Sequence, residues 1–517
     1  MKLQTAQIFG EHMVIQQGKP VPVWGRCAAD DVITVTLNDT EVQAESVRGT
    51  WKAVLPPLSS GTGMTMTVTS ALTSEQIIFH DVAAGEVWLA GGQSNMEFIM
   101  KYDVNAEAMK KTEEDKDLRF FCAPQVPFMG YEDKETCPDH GFWRQWDTEK
   151  NRIMFSAVGA YMGRYLRREL NVPVGIIGCN WGGTPASAWT DIQDIESHPE
   201  LAPVLEEYRH NCEAIDWRRY IETSERPIPE PTPEQLAFTD RFMMGEDMTE
   251  FFRNMENMPR PDISDWGTYP IAPRSATRPG GVYETMLKKI APYAVQGVIW
   301  YQGEDDDARG WSAFYDKSME TMIGSWRKLW QEELPFLQVE LAPFRGVGVT
   351  GAKDYPGMRR RQHSVSETVK NVHDICILDL GEEFNIHPRR KQKVGERLAR
   401  TALRYVYGRE DVQLTFPQAY RAERDGDTLT VYFRNTGKGL YVSGDLTKEL
   451  KVYSNDTELA YRPEIHEDTL VLHGDFHVHE KLTVTFCDTN YCEDPLYGSE
   501  GDPAYAFTFT DLKEKDR

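Results

Sequence analysis

The stretch Gly85-Glu-Val-Trp-Leu-Ala-Gly-Gly-Gln-Ser-Asn-Met96 decides the predicted fold of this chain. The apolar run 87–90 is typical of a central parallel strand that is covered on both faces. Gly91 and Gly92 allow the backbone to turn sharply where that strand ends. Ser94 then lies at the carboxyl end of a strand, where open α/β sheets bind their ligands. An ordinary Ser-Asn turn would give the same local pattern, because both residues favour turns.

Strand-like and helix-like segments alternate from residue 82 to 411. This alternation predicts right-handed βαβ units, and therefore a three-layer α/β/α sandwich with a parallel sheet. The further predicted strands are Leu118–Cys122, Val174–Gly178, Gly297–Tyr301, Phe336–Glu340 and Ile375–Asp379. The predicted helices include Phe155–Leu170, Ser312–Leu329 and Lys391–Tyr407.

Two all-β domains are expected to flank this central domain. Residues 1–81 contain short runs of period two separated by turn residues, which predict an N-terminal β-sandwich. Residues 412–517 return to the same pattern and predict a C-terminal all-β domain. An acidic, proline-rich insertion at about 195–280 interrupts the central domain, with a short helix predicted at Gln235–Met244. This insertion is either a lid or rim over the site or an ordinary surface insertion.

Composition excludes several classes of protein. The chain has 517 residues and a net charge of −24, which argues against nucleic acid as a partner. The eight cysteines include no C-x-x-C pair, so we predict reduced thiols, with no zinc site and no dense disulfide framework. With no signal peptide and no membrane-spanning run in this sequence, we expect a cytoplasmic protein that does not bind membranes.

Three further predicted strand ends supply groups that complement Ser94. Gly182 and Gly183 can present backbone N–H groups to a ligand, and the Gln302 carboxamide can donate a hydrogen bond to an oxyanion. His387 can act as general base and then as general acid. Each of these residues has an ordinary structural explanation when taken alone. Their convergence at one edge of a sheet predicts nucleophilic catalysis.

Four blocks of this sequence resemble those of the sialate O-acetylesterases, within the SGNH (GDSL-type) hydrolase superfamily. The blocks are Gly92-Gln-Ser-Asn-Met96, Trp181-Gly-Gly-Thr184 with Trp189, Trp300-Tyr-Gln-Gly-Glu304 and Ile386-His-Pro388. The likeness covers most of residues 7 to 410, including the opening Glu11–Gly25. It implies an SGNH-type fold and a serine esterase that removes acetyl groups from sugar hydroxyls without a cofactor.

The resemblance also implies the roles of individual residues. Ser94 would be the nucleophile and His387 the base. The oxyanion hole would consist of the Ser94 N–H, the N–H of Gly182 or Gly183, and the Gln302 side chain. The predicted substrate contacts in these blocks are Gln93, Asn95, Trp189 and Glu304.

Two departures from the family pattern leave questions about this site. Many SGNH enzymes carry an aspartate three residues before the histidine, but Phe384 occupies that position here. Glu382, Glu383, Asn385 or a backbone carbonyl could orient the imidazole instead, and we predict Glu382. The family's Ser-Asn pair after the glutamate is replaced by Asp305–Asp307. We interpret these aspartates as a solvated loop, with a cation site as the alternative.

The sequence therefore predicts a carbohydrate O-acetylesterase with a covalent acetyl-serine intermediate. One alternative substrate is an acetylated plant-polysaccharide fragment, such as a xylo-, manno- or gluco-oligosaccharide. Another alternative is a noncatalytic carbohydrate-binding protein, which the presence of both Ser94 and His387 disfavours. We expect activity to rise with pH through the ionisation of the histidine.

Overall fold

The computed structural model describes residues 2–131, 139–226, 231–256, 262–265, 270–347, 351–478, 481–493 and 495–513. The N-terminal strands are β1 (Gln4–Thr5), β2 (Val14–Gln16), β3 (Val21–Arg26), β4 (Val32–Leu37), β5 (Thr40–Glu45), β6 (Thr50–Leu55) and β7 (Gly61–Ser70). The central strands are β8 (Gln76–Gly92), β9 (Asp115–Cys122), β10 (Trp143–Trp146), β11 (Val174–Asn180), β12 (Gly297–Tyr301), β13 (Phe336–Val339) and β14 (Val372–Ile375).

The C-terminal strands are β15 (Gln418–Asp425), β16 (Thr428–Arg434), β17 (Leu440–Val442), β18 (Leu450–Ser454), β19 (Thr457–Glu458), β20 (Arg462–His466), β21 (Thr469–His473), β22 (Leu482–Phe486), β23 (Leu496–Gly498) and β24 (Phe507–Leu512). They pair in small sheets of their own, β15-β16-β21-β20, β17-β23 and β19-β18-β22-β24, which confirms the predicted all-β character of this region.

The helices are α1 (Ser94–Glu97), α2 (Ala106–Lys110), α3 (Glu149–Ile153), α4 (Ala157–Leu170), α5 (Ile192–Glu196), α6 (Ala202–Ala214), α7 (Trp217–Ser224), α8 (Pro233–Met243), α9 (Thr249–Glu256), α10 (Lys288–Ile290), α11 (Glu304–Arg309), α12 (Tyr315–Trp330), α13 (Tyr355–Thr368), α14 (Gln392–Tyr405) and α15 (Leu446–Glu449). Short 3₁₀ helices lie at Met100–Tyr102, Ala186–Trp189, Pro199–Leu201, Ile263–Asp265, Ser312–Phe314 and Phe476–Val478, and a π-helix at Tyr283–Leu287.

The central sheet is mixed rather than purely parallel. Its order is β10-β9-β11-β8-β12-β13-β14, and the strands from β9 to β14 run parallel to their neighbours. β10 adds an antiparallel edge strand, Trp143–Trp146, beside β9. This short segment has no clear period in the sequence, so it was not predicted. The last strand ends at Ile375, earlier than predicted, and residues 376–379 are irregular.

Helices cover both faces of the sheet, as predicted. Side chains alternate between the faces of a strand, so neighbouring residues of β8 enter different cores. Val87 and Leu89 belong to the core that contains Met319 and Trp326 of α12. Trp88 and Ala90 belong to the other core, with α4 and α14 residues such as Leu166 and Leu398.

β8 also connects the N-terminal strands to the central sheet. Its first half pairs with β7 and β2, and its second half pairs with β11 and β12. The boundary predicted after residue 81 therefore falls inside one continuous strand. The division into three domains stays a prediction.

Among the described residues, no helix has the length and apolar character needed to cross a bilayer. The described cysteines carry free thiols. Residues 227–230, 257–261 and 266–269 of the insertion lie outside the described residues, and its described part is mainly helical, from α6 to α9.

Candidate active site

Ser94 lies where the central strand β8 ends and α1 begins. Gly92 has a φ of +130°, and a Cβ at this position would clash with the Tyr301 carbonyl oxygen of β12. Only glycine therefore fits this turn. Ser94 is half-buried, whereas its neighbours Gln93 and Asn95 are buried. The turn thus presents the serine hydroxyl at the carboxyl edge of the sheet.

The glycine turn after β11 packs directly against Ser94. A Cβ placed on Gly182 would lie 3.3 Å from the Ser94 Cβ. The Gly182 N–H donates to Glu97 Oε2 at 2.6 Å and is therefore engaged. Within the described part of the chain, no acceptor is seen for the backbone N–H of Gly183 or of Ser94. Of the two glycines predicted for an oxyanion hole, Gly183 is the one with a free donor.

Asn95 connects the serine turn to the histidine loop. Its Nδ2 donates to the Ile386 carbonyl oxygen at 2.9 Å and to the Glu304 carboxylate. Its Oδ1 accepts from Lys391 Nζ. We call Asn95, Glu304 and Lys391 the lysine cluster. This cluster joins the ends of β8 and β12 to the segment that carries His387.

The lysine cluster is deeply buried. Lys391 is fully buried, and its ammonium lies 5.0 Å from the ring centroid of Phe98 and 5.1 Å from that of Tyr301. Burial lowers the pKa of Lys391 to about 7, against the opposing attraction of nearby carboxylates such as Glu304. Burial also raises the pKa of Glu304, whose second carboxylate oxygen is buried without a hydrogen-bond partner.

His387 is only 6% exposed. The Phe242 ring packs edge-on against the imidazole, with the centroids 5.3 Å apart, and the His387 backbone N–H donates to Asn385 Oδ1 at 3.0 Å. Its Nδ1 is buried, and no hydrogen-bond partner for it is seen in the described part of the chain. Burial, followed by the charge of Lys391, lowers the pKa of His387 to about 3. The imidazole is therefore neutral across the usual pH range, and the expected ionisation lies far below its ordinary value.

No hydrogen bond joins Ser94 to His387 among the described residues. Catalytic hydrogen bonds often tighten only when substrate binds. The structure brings the two residues to one edge of the sheet through the bond between Asn95 and the Ile386 carbonyl.

Glu382 does not hold the imidazole. Its carboxylate accepts hydrogen bonds from Asn385 Nδ2 at 2.9 Å and from the Arg389 N–H at 2.8 Å. Because both oxygens are used within its own loop, the prediction that Glu382 orients the His387 ring is not supported. Glu382 instead holds Asn385, which in turn holds the His387 backbone.

The Gln302 carboxamide is also engaged within the protein. Its Nε2 lies within donor distance of Gln93 Oε1, Thr184 O and Asp306 Oδ2, at 3.1, 3.1 and 2.6 Å. Its Oε1 accepts from the Tyr315 hydroxyl at 2.9 Å. Two N–H bonds already face three acceptors, so the amide has no donor left for an oxyanion. Gln302 joins strand ends instead.

The predicted substrate contacts are buried. Gln93, Asn95, Trp189 and Glu304 are 3%, 1%, 0% and 5% exposed. Gln93 Oε1 accepts from the Gly303 and Asp305 N–H groups, and Trp189 Nε1 donates to Thr184 Oγ1. These side chains hold the surrounding backbone in place, and they are not exposed to a sugar.

The interpretation of Asp305–Asp307 as a solvated loop is wrong. These residues lie in α11, where Asp306 and Asp307 are each 1% exposed. Asp306 accepts from the Ala186 N–H, and Asp307 accepts from the Lys353 and Asp354 N–H groups. Acidic side chains in the first turn of a helix are stabilised by its dipole, which explains the run. Burial raises the pKa of Asp306 to about 7.

The insertion contributes α8 to the site. Asp240 of α8 accepts from Lys101 Nζ at 2.7 Å and from the Tyr102 hydroxyl at 2.8 Å. These bonds fasten the helix beside the site and place Phe242 on His387. The insertion therefore forms a rim of the site, and the interpretation as an unrelated surface insertion is wrong for α8. Motion of this segment stays a prediction.

Sequence reasoning did not identify Lys391, Phe242 or Glu97. A lysine before a helix and a glutamate in a short turn are ordinary in any sequence, so nothing marked them. The sequence indicated Phe242 only weakly. It lies in the insertion, and a rim over the site was one of two interpretations of that segment.

Comparisons with known proteins agree with the sequence motifs. Residues 263–404 match the family described as carbohydrate esterase, sialic acid-specific acetylesterase. The sialate O-acetylesterase of Rattus norvegicus is 24% identical over 469 residues, covering 81% of this chain and 76% of that protein. The Homo sapiens enzyme is 23% identical over 465 residues, covering 81% and 74%.

The same architecture occurs in a solved structure. A carbohydrate acetylesterase from Xanthomonas citri matches with a TM-score of 0.74 and 23% identity, over 98% of this chain and 99% of that one. This match shows the fold. Together, the family and sequence matches confirm the resemblance to the sialate O-acetylesterases.

Proposed function

We propose that this chain is a carbohydrate O-acetylesterase of the SGNH type that works through Ser94 and His387. The observation that carries this proposal is the arrangement at the end of β8. The half-buried Ser94 lies against a glycine turn with a free Gly183 N–H, and Asn95 ties it to the segment that holds His387.

Each group has a step to perform. Neutral His387 accepts the proton of the Ser94 hydroxyl while Oγ attacks the acetyl carbonyl carbon. The backbone N–H groups of Ser94 and Gly183 stabilise the oxyanion. The sugar oxygen leaves with the proton from His387, which gives acetyl-Ser94. His387 then activates water, and hydrolysis releases acetate and restores the serine.

The pair acts as a dyad in this proposal. Because the His387 Nδ1 has no partner and Glu382 is engaged elsewhere, the ring is positioned by packing against Phe242 and by its backbone bond to Asn385. The lysine cluster fixes the distance between the serine turn and the histidine loop. Gln302 maintains the strand ends on which this geometry depends.

We infer an O-acetylated sugar as the substrate, with O-acetylated sialic acid as the first candidate because the curated relatives bear that name. The alternative is an acetylated plant oligosaccharide. Acetate release from O-acetylated sialic acid and from acetylated xylo- and manno-oligosaccharides, measured side by side, decides between them.

The test of the mechanism is Ser94→Ala. We expect hydrolysis of p-nitrophenyl acetate to fall about a thousandfold or more, because the nucleophile is lost. Ser443→Ala, at an exposed position, is the matched control and should retain activity. Acid quenching during turnover should trap one acetyl group on the Ser94 peptide by mass spectrometry. Full activity of Ser94→Ala would refute the mechanism.

A further inference from the structure

A second buried polar cluster lies at the other side of the central sheet. Glu340 follows β13, Asp374 is in β14 and His363 is in α13. Gln338 pairs with Asp374 in the register of the two strands. Glu340 is two residues beyond Gln338, so its side chain is on the same face as Asp374. We call Glu340, His363 and Asp374 the carboxylate–histidine cluster.

The three side chains converge on a small volume. His363 Nδ1 lies 2.7 Å from Asp374 Oδ2 and 3.7 Å from Glu340 Oε1. One ligand atom from each residue lies within 4.8 Å of the others. Ligands of a common ion lie roughly 3 to 4 Å apart, because each bond is about 2.1 Å long. The observed spacing needs only small side-chain adjustments to surround one ion.

The charges of this cluster do not balance. Two carboxylates face one imidazole, so one negative charge remains even when His363 is protonated. Glu340 is 2% exposed, and among the described residues His363 is its one partner within ion-pair distance. The nearby Arg359 directs its Nη2 to the carbonyls of Cys487 and Thr489 instead. Buried charges are normally paired or bound to a metal. In the metal-free cluster, a hydrogen bond between the Glu340 and Asp374 carboxyl groups and the charge of Arg359 compensate the excess, and a bound ion would take the place of the shared proton.

The surroundings of His363 suit a metal ligand. A histidine that binds metal through Nδ1 carries its proton on Nε2, which needs an acceptor. The Gln418 amide nitrogen lies 2.7 Å from His363 Nε2 and itself donates to Glu367, so the acceptor available to an Nε2–H is the Glu367 carboxylate, 3.8 Å away. A cavity of about 310 Å³, lined in part by His363, Asp374 and Gln418, gives room for water ligands.

We propose that Glu340, His363 and Asp374 bind one divalent transition-metal ion, such as Mn²⁺, with water from the cavity in the remaining positions. One imidazole with two carboxylates is a donor set that suits such ions. Binding displaces the proton between His363 and the carboxylates. The site shares no residue with Ser94 or His387. It lies where the sheet meets Gln418 of β15, so the ion would join the C-terminal β region to the central sheet.

The test of this site is Mn²⁺ binding to the full chain. Binding is measured as the loss of the EPR signal of free Mn²⁺. After treatment with a chelator and dialysis, we expect one Mn²⁺ per chain. Glu340→Gln keeps the shape of the side chain and should weaken binding more than about 100-fold, while p-nitrophenyl acetate hydrolysis stays unchanged. Glu367→Gln removes the charged acceptor beside His363 Nε2 and should weaken binding about 10- to 100-fold, as outer-sphere changes do.

Two control variants make the result specific. His373→Ala removes a histidine that lines the same cavity but lies outside the cluster, and it should retain binding. Cys492→Ser alters a separate group, Glu449, Cys487 and Cys492, and should also retain binding. If Glu340→Gln is unstable, Asp374→Asn and His363→Ala replace it.

The competing arrangement has a proton in place of the ion. In that state, burial and the Asp374 carboxylate raise the pKa of Glu340 well above its ordinary value. Absence of stoichiometric Mn²⁺ on the wild-type chain would leave the proton in place and overturn the proposal. Binding of equal strength in Glu340→Gln would overturn it as well.

Discussion

The lysine cluster and the carboxylate–histidine cluster are built from neighbouring strands but differ in one respect. Both contain buried carboxylates that follow or end a central strand: Glu304 after β12, Glu340 after β13 and Asp374 in β14. The lysine cluster contains its own cation, whereas the carboxylate–histidine cluster has only an imidazole between two acids. The lysine cluster is therefore closed, meaning that it needs no ion from solution. The carboxylate–histidine cluster is open, meaning that it can bind one.

This difference agrees with the proposed roles. A catalytic site needs a fixed distance between nucleophile and base. A lysine of the protein itself can hold that distance, so no bound ion is required. Lys391 holds Asn95, and Asn95 holds the Ile386 carbonyl next to His387. The second cluster lies between the sheet and the C-terminal strands, where an ion can strengthen a contact without entering the reaction.

The largest expected effect follows from removing the built-in cation. Lys391→Met leaves Asn95 Oδ1 without its donor and Glu304 without the nearby positive charge, and each such loss costs about 1–3 kcal/mol, more for a charged group. We expect a lower midpoint of urea unfolding and loss of esterase activity. Lys393→Met, on α14 with a side chain 58% exposed, is the matched control and should change neither. Equal stability of the two variants would show that Lys391 is not a structural cation.

A smaller effect should distinguish the two clusters, because the same change from Glu to Gln should alter the free energy of unfolding differently in each. Glu304→Gln weakens a charge-assisted bond to Asn95 and the pairing with Lys391, so we expect a loss of about 1.5–3 kcal/mol. Glu340→Gln in metal-free protein replaces a buried carboxyl group, whose pKa is raised well above its ordinary value, by a neutral amide of the same shape, and it should be neutral or stabilising. Urea unfolding of both variants in chelator measures the difference. Two equal losses would contradict the distinction between a closed and an open cluster.

The sequence predicted the strand ends well and the contacts between side chains poorly. Ser94, the glycine turn and His387 follow from local rules, because glycine, strand length and helix starts are encoded within a few residues. The engagement of Gln302 by Asp306 and of Gly182 by Glu97 depends on residues far apart or ordinary in themselves. In both cases, the hydrogen-bond partner is known only once the fold has brought the two residues together.

The edge strand β10 was missed for a different reason. Trp143–Trp146 is too short to show a period, and its pairing with β9 is a contact between separate segments that the local sequence does not encode. The buried position of Asp305–Asp307 also escaped prediction, since a run of acids usually indicates a solvated segment. Here the first turn of α11 and neighbouring backbone N–H groups compensate the charges.

The smallest expected effect concerns the two histidines of these regions. His363 touches two carboxylates, whereas His387 has no acid at Nδ1 and is covered by Phe242. The pKa of His387 is lowered to about 3, so the base remains available as pH falls until that value is approached. Phe242→Ala admits water and reduces the desolvation, which should raise this pKa by about one unit, equivalent to roughly 1.4 kcal/mol.

The acid limb of kcat/KM for p-nitrophenyl acetate, measured from about pH 3 to neutral pH, detects that shift. A base with a raised pKa is protonated at higher pH, so Phe242→Ala should lose relative activity under acid conditions where the wild type retains it. Phe242→Leu preserves an apolar cover and is the control, with a limb close to that of the wild type.

Native His387 does not take up the proton that unfolded His387 binds below its ordinary pKa of about 6.5. The His387 contribution to stability therefore falls as pH drops from that value toward 3, and it should fall less in Phe242→Ala. Identical acid limbs in wild type and Phe242→Ala would show that α8 does not control the protonation of the base.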